Sequence, residues 1–184
     1  MSLTLNKEDG TGRADANAYA NAADGDAYHD GHLYASAWTA ATTGNKEAAL
    51  VMATRLIDAE FLFNGVRATD VQALQWPRER CPDPDRGWLY RVAILSSLNN
   101  WLPADAVPKI IADATCEMAR ELLIADRTAA PAGEGLKYDN TAANQIGYDK
   151  TDRRPVISHF AQAMLAKFGS LLKSRSGAVR LVRA

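Results

Sequence analysis

Prolines at positions 77, 82, 84 and 103 constrain this chain more than any other feature. Each lacks a backbone donor and breaks a helix interior, and each pushes the residue before it towards an extended shape. Residues 64–105 therefore cannot form one continuous helix, while the sequence on both sides repeats its apolar residues at helical spacing. Within that segment, QALQWPRERCPDP (72–84) gathers Trp76, Arg78, Arg80 and Cys81 among the prolines. Two readings compete for it: an active-site or metal loop, or a stiff exposed segment that docks on another protein. The short apolar piece 89–95 fits a strand or a helix equally well.

The flanking periodicity predicts helices. Asn21 is the expected cap of a first helix running to about His32, with Asp24 in the first turn, where a carboxylate complements the helix dipole; Gly25 and Gly31 weaken it. A second helix is expected over 46–63, capped by Asn45, with Ala49, Leu50, Ala53, Leu56, Ile57 and Phe61 as one stripe and Asn64-Gly65 as its stop. A third spans 106–127, capped by Asp105, with Pro108 tolerated in the first turn and Ile110, Ile111, Ala114, Met118 and Leu122 facing inward. Pro155 opens a fourth, whose face is Ile157, Phe160, Ala161, Met164, Leu165, Phe168 and Leu172. A short strand near 18–19 and a loose hairpin over 136–150 complete the reading. The expected fold is mainly α: a small bundle of about four helices with minor β-strands and an extended C-terminal arm. Residues 1–127 form the helical core, 128–149 a linker or loose hairpin, and 150–184 a basic helix and arm.

With 184 residues, 47% of them apolar, the chain is long enough for one domain with a real core. No apolar run approaches the roughly 18 residues of a membrane helix, and MSLTLNKEDGTG carries no basic-then-apolar leader, so a cytoplasmic setting is expected. Cys81 and Cys116 lie 35 positions apart, which gives no zinc framework; two reduced thiols are expected, with a single disulfide left open. The net charge of −1 hides an asymmetry. Residues 1–149 carry 13 Lys and Arg against 21 Asp and Glu, whereas 150–184 carry 8 against Asp152 alone. A basic tail on an acidic body points to an acidic partner for the tail, whether nucleic acid or protein.

Candidate chemistry is sparse. DAYHDGH (26–32) sets His29 and His32 three apart with Asp26 and Asp30 beside them, a spacing that helical metal ligands use. Two solvated histidines at a polar helix end are the expected state. DPDRG (83–87) lacks the later carboxylates of a calcium loop and reads as a turn. No GxSxG, GxGxxG or phosphate-loop pattern occurs. Cys81 has only Arg78, Arg80 and Arg86 near it to lower its pKa. No catalytic residue, metal or cofactor is assigned. The tail could neutralise phosphates, but Phe160 and Phe168 fall on an apolar helix face and are expected in the core, leaving few rings for stacking. The alternating Val179-Arg180-Leu181-Val182-Arg183 better suits an arm added to a partner's sheet or groove.

GTGRADANAYANAADGDAY (10–28), KEAALVMATRLIDAEFLFNG (46–65), DVQALQWPRE (70–79) and the terminal VRLVRA together resemble the tailed-phage proteins catalogued as DnaT-like single-stranded-DNA-binding proteins, which are similar to head–tail adaptors. The resemblance covers about 10–127 and 150–184. It implies a structural, non-enzymatic adaptor of the virion neck, assembled in the host cytoplasm. Such a protein forms a ring, usually twelvefold, under the portal and extends the DNA channel. The implied partners are the portal protein, neighbouring subunits, the next neck or tail component and double-stranded DNA passing through the lumen, with no membrane. Arg175, Val179, Arg180, Leu181, Val182 and Arg183 would dock in the portal, and Trp76, Arg78 and Arg80 would contact a subunit or neck protein, with Trp76 either an anchor there or the lid of the core. The alternative is a single-stranded-DNA-binding accessory protein of replication.

Overall fold

The computed structural model describes residues 3–86, 101–129, 138–141, 144–147 and 154–172. Near the N-terminus, a parallel bridge between Lys7 and Ala18 closes a loop around the buried Glu8. Its carboxylate accepts the backbone N–H groups of Gly10, Gly12 and Arg13 at 2.9–3.0 Å, so the buried charge is fully hydrogen-bonded. Helix α1 (Ala22–His29) follows with the expected cap: Asn21 Oδ1 accepts from Asp24 N–H and Asp24 Oδ2 accepts from Asn21 N–H, a reciprocal capping box. It stops three residues before His32. A one-turn helix α2 (Ser36–Thr39), which periodicity is too short to reveal, carries the buried Trp38.

Helix α3 (Thr43–Glu60) starts earlier than expected because Thr42, not Asn45, is its cap; the Thr42 hydroxyl accepts from Asn45 N–H. Its buried face is Ala49, Leu50, Val51, Ala53, Thr54 and Ile57, close to the expected stripe. Burying Leu50 and Ile57 stabilises the fold by about 1.5–3 kcal/mol each. The helix also ends sooner than Phe63. Phe61 turns extended and begins strand β1 (Phe61–Phe63), which later pairs antiparallel with β6 (Gly169–Leu171). Alternation then buries Phe61 and Phe63 and exposes Leu62. Gly65 is therefore not a helix stop. At φ 76° it turns the chain into β2 (Val66–Arg67), where a side chain would strike the Glu79 carbonyl of β3 (Arg78–Glu79).

Helix α4 (Lys109–Ile124) packs against α1, α2, α3 and α5 (His159–Leu165). Contact on several sides explains why Ile111, Ala114, Thr115, Cys116, Glu117, Met118, Ala119 and Arg120 are all buried, more than one stripe. It is the central helix. Its cap position is Pro108 rather than Asp105, with no side-chain cap bond. The fourth predicted helix is shorter than 155–172: Ser158 caps it, its hydroxyl accepting from Ala161 N–H, and Gly169–Leu171 is drawn out of it to pair with β1. Strands β4 (Tyr138–Thr141) and β5 (Asn144–Gly147) form the expected hairpin, with Thr141 opposite Asn144. The fold is mainly α with minor two-stranded pairings, five helices among the described residues rather than about four.

Candidate functional site

The 72–84 segment is built into the fold. Gln72 is buried; its side chain accepts from Thr69 N–H and donates to the carbonyls of Leu74 and Pro77. Trp76, 0% exposed, stands edge-on to Phe63 and Phe168 with centroids 5.7 and 6.1 Å away. Arg78 is also buried. Its guanidinium donates to the carbonyls of Asn64, Phe63, Gly65 and Gln75 and to Gln75 Oε1, all at 2.7–3.2 Å, tying the segment to the β1–β2 turn. The prolines thus frame a plug over the core, and Trp76 takes the core-lid position. Of the three residues expected at a subunit or neck contact, only Arg80 is exposed, at φ 55°. Arg175, Val179, Arg180, Leu181, Val182 and Arg183 lie outside the described residues, as does the 89–95 piece.

The DAYHDGH side chains take separate hydrogen-bond partners, although the His29 and His32 ring centroids lie 5.7 Å apart. Asp26 accepts from Lys46 Nζ at 2.7 Å and Trp38 Nε1 at 2.8 Å, and Lys46 first, then Trp38, holds its carboxyl below the usual range. His29, expected solvated, is buried with Nε2 3.2 Å from the Cys116 carbonyl, and burial pushes its pKa down. Among the described residues no three His, Cys, Asp or Glu side chains converge as metal ligands. Cys81 and Cys116 are free and buried. Burial raises both thiols, Cys116 to about 12, which works against nucleophilic use.

Functional side chains gather elsewhere, in a cleft of about 900 Å³ between the 32–34 loop, the C-terminal half of α4 and the start of α5. Tyr34 N–H donates to His32 Nδ1 at 3.0 Å, so His32 Nε2 carries the proton and faces Glu117 Oε2 at 3.5 Å. That bond holds the loop while leaving the Tyr34 side chain out: the residue is 74% exposed. From α5, Phe160 is 55% exposed and lines the same cleft. It was expected in the core. The buried stripe of α5 runs through Ala161 and Leu165, leaving Phe160 at its margin, while Phe168 is buried as expected.

The floor of the cleft is a charge network. Arg120 donates to Glu117 at 2.6 Å and to Glu121 at 2.8 Å, and the Glu117 contact is the main reason its pKa is raised. Arg127 donates to Glu121 Oε2 at 2.7 Å and to the carbonyls of Pro155 and Val156 at 2.8 Å. Those carbonyl bonds clamp the approach to α5 onto the end of α4. Burial lowers the Arg127 pKa, although each of its guanidinium nitrogens has a partner. Arg154 reaches Glu121 Oε2 at 3.3 Å with its side chain 60% exposed. The cleft therefore combines two exposed rings with three arginines set against two glutamates.

This combination was hidden in the sequence. Tyr34 is more than a hundred residues from Arg154 and Phe160, and the three share no motif. The one available signal was Phe160 beside a serine cap, in a helix shorter than its apolar pattern suggests.

A family model described as "Putative DnaT-like ssDNA binding protein" matches residues 3–184. No curated protein and no solved structure matches the chain.

Proposed function

Because the chain belongs to the DnaT-like single-stranded-DNA-binding family, we propose that it binds single-stranded DNA in the cleft between Tyr34 and Phe160. The observation that carries this is the exposure of both rings along one cleft that also holds arginine. Single strands are held by rings that stack on bases and by cations that follow the phosphates. Every base has a flat face, so the binding would be tolerant of sequence. The basic segment 150–184 would add phosphate contacts.

A second reading is favoured by the charge of the body. Residues 1–149 carry 13 Lys and Arg against 21 Asp and Glu, and an acidic surface repels phosphates and suits a channel wall that DNA slides past. On that reading the chain is a head–tail adaptor in a ring beneath the portal, its C-terminal arm in the portal and the next neck component below. The exposed Leu33, Tyr34 and Phe160 would then be a subunit contact. One competition separates the two. Full-length protein and a form ending at Ser174 are mixed with the portal protein of the same genome and with a labelled single strand at physiological salt. Single-strand binding by both forms, with the portal ignored, supports the proposal. Portal saturation by the full-length form alone, without single-strand binding, selects the adaptor.

A further inference from the structure

Glu121 holds more cations than it needs. Its Oε1 accepts from Arg120 at 2.8 Å and its Oε2 from Arg127 at 2.7 Å, so both oxygens are paired before Arg154 is considered. Arg154 adds only a longer contact to Oε2, at 3.3 Å. The three guanidiniums differ in freedom. Those of Arg120 and Arg127 are mostly buried, with side-chain exposures of 11% and 4%. Arg120 is also bonded to Glu117, and Arg127 to two backbone carbonyls. Removing Arg120 would leave the buried Glu117, among the described residues, with only His32 at 3.5 Å, and removing Arg127 would strand the Pro155 and Val156 carbonyls; either is costly. Arg154 is more than half exposed, and its departure leaves Glu121 doubly paired.

We propose that Arg154 is the phosphate-contacting residue of the cleft: it swings from Glu121 to a backbone phosphate when a single strand enters, while Arg120 and Arg127 stay as structural supports. This rests on the single-stranded-DNA reading above. The exposed Phe160, six residues further on in the same cleft wall, would stack on a base near the contacted phosphate. Arg154 is exposed and is the third cation on a carboxylate whose two oxygens are already paired, so the swing costs the fold little. Guanidinium forks suit phosphate oxygens.

The test is fluorescence anisotropy with a labelled oligo-dT across a salt series, using the full chain, Arg154→Ala and Arg154→Lys, with thermal melting of each. Arg154→Ala is expected to melt as the wild type does. It should bind more weakly, with the slope of log K against log salt shallower by about 0.7, the value of one phosphate contact on a single strand. Arg154→Lys should restore the slope. If the wild type binds and Arg154→Ala keeps the same slope, this assignment is overturned and the cleft reading stands. A large drop in melting temperature for Arg154→Ala would make the residue a structural support and also overturn it. A wild type without affinity for the strand would remove the cleft reading, and this inference with it.

Discussion

The Tyr19 hydroxyl lies 2.6 Å from Asp58 Oδ1, joining the segment before α1 to the last turn of α3. The same hydroxyl accepts the backbone N–H groups of Gln75 and Trp76 at 3.1 and 3.2 Å, and Asp58 Oδ2 accepts Gln75 N–H at 3.1 Å. One phenol and one carboxylate thus seat the Trp76 plug on the helical core. Tyr19→Phe leaves the ring in place and strands the Trp76 N–H and Asp58 Oδ1, while Gln75 N–H keeps Asp58 Oδ2. Unmet buried donors cost about 1–3 kcal/mol, so chemical denaturation should show a loss of that size. An unchanged midpoint would mean that the hydroxyl does not hold the plug.

Asp58 also makes stability depend on pH. Burial, the largest influence, raises its carboxyl from 3.8 to about 6, outweighing the hydrogen bonds from Tyr19 and Gln75. Between those two values the folded chain keeps a proton that the unfolded chain releases, so this group's contribution falls as pH rises and is lost above about 6. His29 acts in the opposite sense. Its pKa is lowered from 6.5 by burial, so its contribution is present above 6.5 and lost as pH falls through the lowered value. The two effects run in opposite senses, and the wild-type profile alone would blend them. The difference in melting temperature between wild type and Asp58→Asn isolates Asp58 and should be more favourable to wild type at pH 4.5 than at pH 7. A constant or reversed difference would refute the assignment.

Gly25 sits in α1 against the face of Trp38, and a Cβ there would run into the indole. Alanine normally favours a helix by about 1 kcal/mol over glycine. Here Gly25→Ala should instead destabilise by about 1–3 kcal/mol through overpacking. Thermal melting decides the sign, and a gain in stability would show that the Trp38 ring yields freely.

Local signals were legible in the sequence and long-range pairing was not. The Asn21 cap, the α3 stripe and the central apolar face of α4 all follow from residues within a few turns of one another. The ends of α3 and α5 were misjudged for one shared reason. Phe61–Phe63 and Gly169–Leu171 pair across more than a hundred residues, and either segment taken alone continues a helical pattern. Trp76 and Arg78 looked like surface anchors because their residue types are common at interfaces. Trp76 is instead buried beside the rings of Phe63 and Phe168, and Arg78 among carbonyls supplied largely by the β1–β2 turn, which no spacing rule reveals. The cleft was hidden for the same cause, since Tyr34 lies more than a hundred residues from Arg154 and Phe160 and lines one cleft with them across α4.

Single-strand binding by the cleft is tested most directly by anisotropy of a labelled oligo-dT against wild type and the Tyr34→Ala/Phe160→Ala double variant. Both rings are exposed, so the variant should melt close to the wild type. Each lost stack should weaken binding by about 1–3 kcal/mol, and the wild-type affinity should fall steeply with salt. A double variant that folds and binds as tightly as the wild type, or a wild type that ignores the strand while saturating a portal, would contradict the account.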